Sequence, residues 1–216
     1  MSIAANLDSI NSSLPSHVTL VAVSKTKPVS DLMEAYQAGQ RIFGENKIQE
    51  MTDKWEQLPK DIQWHMIGHV QTNKVKYMAA YVNLIHGVDS LKLLQEIDKQ
   101  AKKNHRKMDC LLQVYIAEEE SKFGLDAKEL DDLLSSPELK QLQNTNVVGL
   151  MGMATFTENQ QQIKKEFGRL KSLFDVHKTQ NPDFKILSMG MSGDYQLAID
   201  CGSTMVRIGS SIFGTR

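Results

Sequence analysis

Apolar residues in this chain follow two alternating rhythms. Short runs that are apolar at both parities, such as Val18-Thr19-Leu20-Val21-Ala22-Val23, recur at 18–23, 41–43, 62–67, 83–88, 108–116, 147–151, 185–188 and 204–208. Runs of that kind predict strands covered on both faces, as in a parallel sheet. Between them lie stretches with an apolar residue every third or fourth position, at 31–38, 47–57, 73–81, 91–103, 130–142, 160–178 and 195–198. These predict helices. Another helix precedes the first strand, where Ile3, Leu7, Ile10 and Leu14 share one face, and Ser30 and Gly39 bound the helix over 31–38 as cap and stop. Strands alternating with helices imply parallel pairing with right-handed crossovers. Eight such units point to an α/β fold, a (β/α)8 TIM barrel with an extra N-terminal helix, in which residues 1–216 form a single domain. An open doubly wound sheet is the alternative.

Composition narrows the function. With 216 residues, 41% of them hydrophobic, the chain can bury a large core. A formal net charge of −1 with interspersed signs gives no field for nucleic acid or an anionic membrane. No apolar run approaches the roughly 20 residues of a membrane span, and residues 1–14 lack the basic start and apolar core of a signal peptide. A cytoplasmic protein is expected. Cys110 and Cys201, far apart and each among apolar neighbours, read as two buried reduced thiols. Lys99, Lys102, Lys103, Arg106 and Lys107 crowd a helix end, where cations meet the negative end of the dipole. Glu118 to Glu120 follow a strand and read as a solvated loop or a pocket rim.

The candidate chemistry lies at the strand ends. The first strand runs into Lys25 and is stopped by Pro28, and Lys25 shares its side with Thr19, Val21 and Val23. In a barrel of this kind the loops after the strand C-termini form the working face, and those after the seventh and eighth strands often hold phosphate. Here the seventh leads into Ser188-Met189-Gly190-Met191-Ser192-Gly193-Asp194, and the eighth carries Arg207 into Gly209-Ser210-Ser211. An ordinary Gly/Ser turn accounts for either alone. His65 and His69 on an extended segment stand about 13 Å apart at ~3.3 Å per residue, too far to share a metal, and His65 suits a hydrogen-bonded core position. No catalytic serine triad, Walker lysine loop or Rossmann glycine fingerprint occurs. A lysine on the first strand, an anion cradle at the last two and an arginine on the eighth together suggest pyridoxal 5'-phosphate (PLP). Lysine would form the imine, the cradle would hold the phosphate and Arg207 would face the ring.

Five segments carry a resemblance. Val-Ser-Lys-Thr-Lys-Pro (23–28), Phe-Gly-Glu-Asn-x-x-Gln-Glu (43–50), His-x-Ile-Gly-x-Val-Gln-x-Asn-Lys (65–74), Ser-Met-Gly-Met-Ser-x-Asp (188–194) and Gly-Ser-Thr-Met-Val-Arg-Ile-Gly-Ser-Ser-Ile-Phe-Gly-x-Arg (202–216) closely resemble the pyridoxal phosphate homeostasis protein family, which looks like the barrel domain of alanine racemase standing alone. The likeness runs in order from Val18 to Arg216, with Val70 where the family often has leucine. It implies that Lys25 is the imine lysine, Arg207 the arginine at the pyridine nitrogen, and Ser192, Gly209 and Ser210 the phosphate contacts. Asn46 matches a pocket asparagine on the imine side, and His65 is carried over only as pocket lining. A cation beside the ring nitrogen disfavours its protonation and makes the ring a poor electron sink. The resemblance therefore implies a non-catalytic, monomeric protein of the cellular PLP pool, with PLP-dependent apoenzymes as candidate recipients. The chain also ends just after the eighth strand, leaving no second domain to bring the further acid or base that racemases use. An amino-acid racemase, or a Schiff-base aldolase on a phosphorylated sugar, is the alternative.

Overall fold

Hydrogen bonding between the first and last strands closes the sheet. In the computed structural model, which describes residues 2–118 and 123–214, β1 (Thr19–Val23) pairs in parallel with β8 (Met205–Ile208), Val21 standing opposite Arg207. Between them run β2 (Ile42–Glu45), β3 (Gln63–Met66), β4 (Val82–Val88), β5 (Met108–Gln113), β6 (Thr145–Met151) and β7 (Ile186–Met191), each paired in parallel with the next to make a closed barrel. The open-sheet alternative is thereby excluded.

Alternation along each strand builds two cores. Val21, Leu84, Leu111, Met151 and Met205 point inward and plug the barrel. Residues of the opposite parity, among them Ala22, Phe43, Trp64, Met66, Ile85, Leu112 and Val206, pack outward under the helices. The helices are α1 (Ile3–Ser13), α2 (Val29–Gln37), α3 (Ile48–Gln57), α4 (Leu91–Lys103), α5 (Ala127–Ser135), α6 (Gln160–Lys178), α7 (Tyr195–Asp200) and α8 (Ser210–Phe213). The N-terminal α1, capped by Ser2, buries Leu7 and Ile10 and ties to α8 through Asn6 Nδ2, which donates to the Ile212 carbonyl at 2.9 Å.

Several local expectations give way to specific forces. The helix expected over 73–81 is a 3-10 helix, Thr72–Tyr77. Its greater rise per residue suits a short crossover that must bury Val75, Met78 and Ala79 before β4 begins. The helix expected over 130–142 instead starts at Ala127, on a capping box between Asp126 and Glu129, and stops before Pro137, leaving a separate 3-10 turn at Leu139–Gln141. Ser30 is not a cap: α2 begins at Val29, and the Ser30 hydroxyl turns to Asp31 at 3.4 Å. The seventh strand continues to Met191, beyond the expected 188, and α8 went unforeseen. Cys110 is buried, and burial pushes its thiol up, whereas Cys201 is only half-buried; both are free. Arg106 does not simply face water, since its guanidinium donates to the Ala79 and Val82 carbonyls at 2.9 and 2.8 Å. Glu118 pairs with Lys165 at 3.0 Å, and Glu119 and Glu120 lie outside the described residues.

Gly149 on β6 has φ +155°, and a Cβ there would meet the Ile186 carbonyl oxygen at 1.8 Å, inside the β6–β7 pairing. Gly149→Ala should therefore force two barrel strands apart. We expect a loss of about 3 kcal/mol or more in urea unfolding, at the upper end of single-residue effects. A variant within 1 kcal/mol of the parent would contradict that packing.

Candidate functional site

At the C-terminal ends of the strands the barrel opens into a cavity of about 710 Å³, within the ordinary range of ~300–1,000 Å³ for small-molecule sites. Lys25 enters it from the turn after β1, Asn46 from the loop after β2 and Ser192 from the loop after β7. Arg207 rises from β8, and Gly209 and Ser210 follow it. All the residues nominated by the sequence thus line one space, His65 excepted. The loops after β7 and β8 are tied together there, the Gly209 N–H donating to Ser192 Oγ at 3.1 Å.

Beneath the cavity lies a polar layer. Arg207 Nη1 donates to the Ser188 carbonyl at 2.9 Å and to Ser188 Oγ at 2.6 Å, and Nη2 donates to the Gly152 carbonyl at 3.0 Å. Three neutral oxygens therefore hold the guanidinium, and these bonds leave the Nε hydrogen and one Nη2 hydrogen of its five donors unused. The chain of contacts continues inward: Ser188 Oγ lies 3.1 Å from His86 Nδ1, and His86 Nε2 lies 3.1 Å from His65 Nδ1. Arginine only donates, so Ser188 Oγ accepts from it and donates its own hydrogen bond to His86 Nδ1. His86 then carries its hydrogen on Nε2 and donates to His65, whose hydrogen sits on Nε2. Tautomers in this row are thus assigned from one cation. Burial drives His65 down to about 3 and His86 well below the usual histidine value, with His65 and Arg207 adding to the effect on His86. Burial also lowers Arg207 to about 10, which leaves it charged at neutral pH.

Lys25 is flanked by a second buried network. Lys54 on α3, 5% exposed, donates to the Ser24 carbonyl at 2.8 Å and to Glu45 Oε1 and Glu50 Oε1 at 2.7 Å each. Ser24 Oγ donates to Glu45 Oε1 at 2.6 Å, and the Thr26 N–H donates to Glu50 Oε1 at 2.5 Å. Burial raises the Glu45 carboxyl, against the pull of Lys54 and Ser24. Glu50 feels some burial too, but the bonds from Lys54 and Thr26 win and hold it low.

At the mouth, His69 pairs with Asp89 at 3.5 Å and stacks on Phe123. Among the described residues no tyrosine lines the cavity; Tyr195, the nearest in sequence to the Ser192 loop, packs beneath Gly190. Ser188, His86, Glu45 and Lys54 were not singled out by the sequence. The strand period alone marks His86 and Ser188, since each stands two residues beyond an inward-pointing position, Leu84 and Ile186.

Comparison with known proteins places this geometry. The profile described as alanine racemase, N-terminal domain, matches residues 1–216. The pyridoxal phosphate homeostasis protein of Aquifex aeolicus is 40% identical over 91% of this chain and 86% of its own, and that of Escherichia coli K12 is 38% identical over 94% and 87%. This chain belongs to the pyridoxal phosphate homeostasis protein family. Another protein, PipY of Synechococcus elongatus, solved with PLP bound, superposes with a TM-score of 0.89 at 36% identity over 99% of this chain and all of that one. An alanine racemase of Clostridium difficile, at 15% identity and a TM-score of 0.82, shares the fold over 60% of its length.

The neutral histidine row in this family member has a measurable consequence. An unfolded histidine takes up a proton below about 6.5, whereas folded His65 resists until about 3. The unfolded state therefore binds more protons in that window, and stability falls as pH drops through it. His65→Gln should make the slope of unfolding free energy against pH shallower between 6.5 and 4, by up to about 1.4 kcal/mol per pH unit. An unchanged slope in urea titrations would mean that His65 is charged in the fold.

Proposed function

We propose that this protein holds PLP as a Schiff base on Lys25 and contributes to the intracellular PLP pool. The observation that carries the reading is convergence: a lysine, a Gly/Ser cradle and a pinned arginine from both ends of the chain meet in one cavity. The residues suit the group. Arg207 keeps two donors for a ring nitrogen, and Gly209 leaves backbone room that a Cβ, 3.0 Å from the Val23 carbonyl, would fill. Ser192, Gly209 and Ser210 would hold the phosphate, and Asn46 would stand on the imine side. PLP supplies an aldehyde that exchanges reversibly with amines.

Arg207 argues against a dedicated enzyme. A guanidinium held charged next to the ring nitrogen disfavours its protonation, and the drive for carbanion chemistry falls with it. We therefore read the chain as a carrier or buffer, with PLP-dependent apoenzymes as recipients. All the site residues come from one chain, which suits a monomer, and the two free thiols suit the reducing cytoplasm. No helix among the described residues is long and apolar enough to cross a membrane.

Lys25→Ala should abolish both the visible imine band of the purified protein and the adduct trapped by borohydride. Persistence of both, with the adduct mapped to Lys27 in the same cavity or to Lys74, would overturn the assignment. A colourless protein that traps a sugar phosphate would point to the aldolase.

Solvent deuterium exchange at Cα across the amino acids tests the absence of turnover, with Lys25→Ala as the blank. We expect rates below the enzyme range of roughly 1 to 1000 per second. Lys25-dependent exchange inside that range would make the protein a racemase or transaminase, with His69 at the mouth as the first base to examine.

A further inference from the structure

The turn that presents Lys25 is strained and tied at both ends to one ammonium group, directly at Ser24 and through the Glu50 carboxylate at Thr26. Thr26, immediately after the lysine, has φ +65°, a region that β-branched residues avoid and occupy only when their surroundings dictate it. The surroundings here are specific. On one side of Lys25, Ser24 gives its carbonyl to Lys54 and its hydroxyl to Glu45; on the other, the Thr26 N–H is taken by Glu50. Lys54 joins the two halves, and its three donors are all committed, to Ser24, Glu45 and Glu50. Lys54 and Glu45 are buried, while the Glu50 side chain is 24% exposed. The cluster leaves Glu45 Oε2 buried without a hydrogen-bond partner among the described residues; a buried ion cluster of this kind costs desolvation and gives little net stability, so its value here lies in geometry.

We propose that Lys54 and Glu50 are positioning residues for Lys25: their bonds to Ser24 and Thr26 fix the backbone on either side of the lysine and aim its amine at the ligand aldehyde. The proposal rests on the Lys25 reading above. Bond formation joins the amine nitrogen to the aldehyde carbon and releases the carbonyl oxygen as water with both amine hydrogens, so no redox partner is involved. Misplacement of a reacting atom by about 1 Å can cost up to two orders of magnitude in rate. The lysine's aim is therefore what the cluster would control.

The test separates aim from pocket integrity. Wild type, Glu50→Ala and Glu50→Gln are mixed with PLP and followed by visible absorbance, while binding of pyridoxine 5'-phosphate, which has no aldehyde, is measured by calorimetry. Glu50→Ala cuts the Thr26 tether at a partly exposed position and leaves Lys54 with Ser24 and Glu45. We expect imine formation to slow on the order of tenfold or more, with pyridoxine 5'-phosphate affinity unchanged. Glu50→Gln keeps an oxygen for the Thr26 N–H and should restore most of the rate. Lys54→Met should reproduce the Glu50→Ala defect. A wild-type rate in Glu50→Ala, or equal weakening of both ligands, would overturn the proposal. Loss of the reading beneath it would show separately, as an imine that survives in Lys25→Ala.

Discussion

A cation inside the barrel is the constraint around which the upper half of this structure is arranged. Taking a guanidinium out of water costs several kcal/mol, and Arg207 is only 4% exposed. It recovers that cost through three bonds to neutral oxygens, each donated by a charged group and worth about 1.5–3 kcal/mol. One of those oxygens, Ser188 Oγ, then orders two imidazoles behind it. The polar layer thus reads outward from a single charge, and it stands directly above the apolar plug of Val21, Leu84, Leu111, Met151 and Met205. Close packing below and directed acceptors above fix the orientation of the arginine.

The opposite side of the cavity solves a similar problem with opposite partners. Lys54 is also buried, yet it is bonded directly by two carboxylates and a carbonyl, whereas Arg207 bonds only neutral oxygens and feels the Asp194 carboxylate at longer range. The difference suits the two tasks. An arginine that must offer donors to a ligand is left with spare hydrogens, whereas an ammonium that braces a turn is left with none.

How much of this was legible in the sequence depended on the range of the interaction. Strand and helix alternation lies in local periodicity, and so the barrel, its closure and the cluster of Lys25, Ser192 and Arg207 at one end followed from it. Motif likeness added Asn46 and gave Ser192, Gly209 and Ser210, already read as cradle candidates, the role of phosphate contacts. The failures are where a single residue beats a pattern: Pro137 halted a helix that the apolar spacing would have continued, and the Asp126–Glu129 box started it early. Partnerships between distant side chains left no local trace. Lys54 falls on a helix face where a solvated lysine is ordinary, and only the fold brings it under Ser24. His65 likewise keeps no mark of His86.

The seam between β1 and β8 also sets when the site can exist. Lys25 follows the first strand, Arg207 lies on the last and Ser210 just past it, so a growing chain carries its lysine through nearly the whole of synthesis with nothing opposite it. Contacts this distant in sequence form late and slowly. A ligand bridging Lys25 and the eighth strand would act as a staple across the final closure, binding only the finished barrel and adding its affinity to the stability of the whole. The abundance of such a ligand would then be written into the lifetime of the fold.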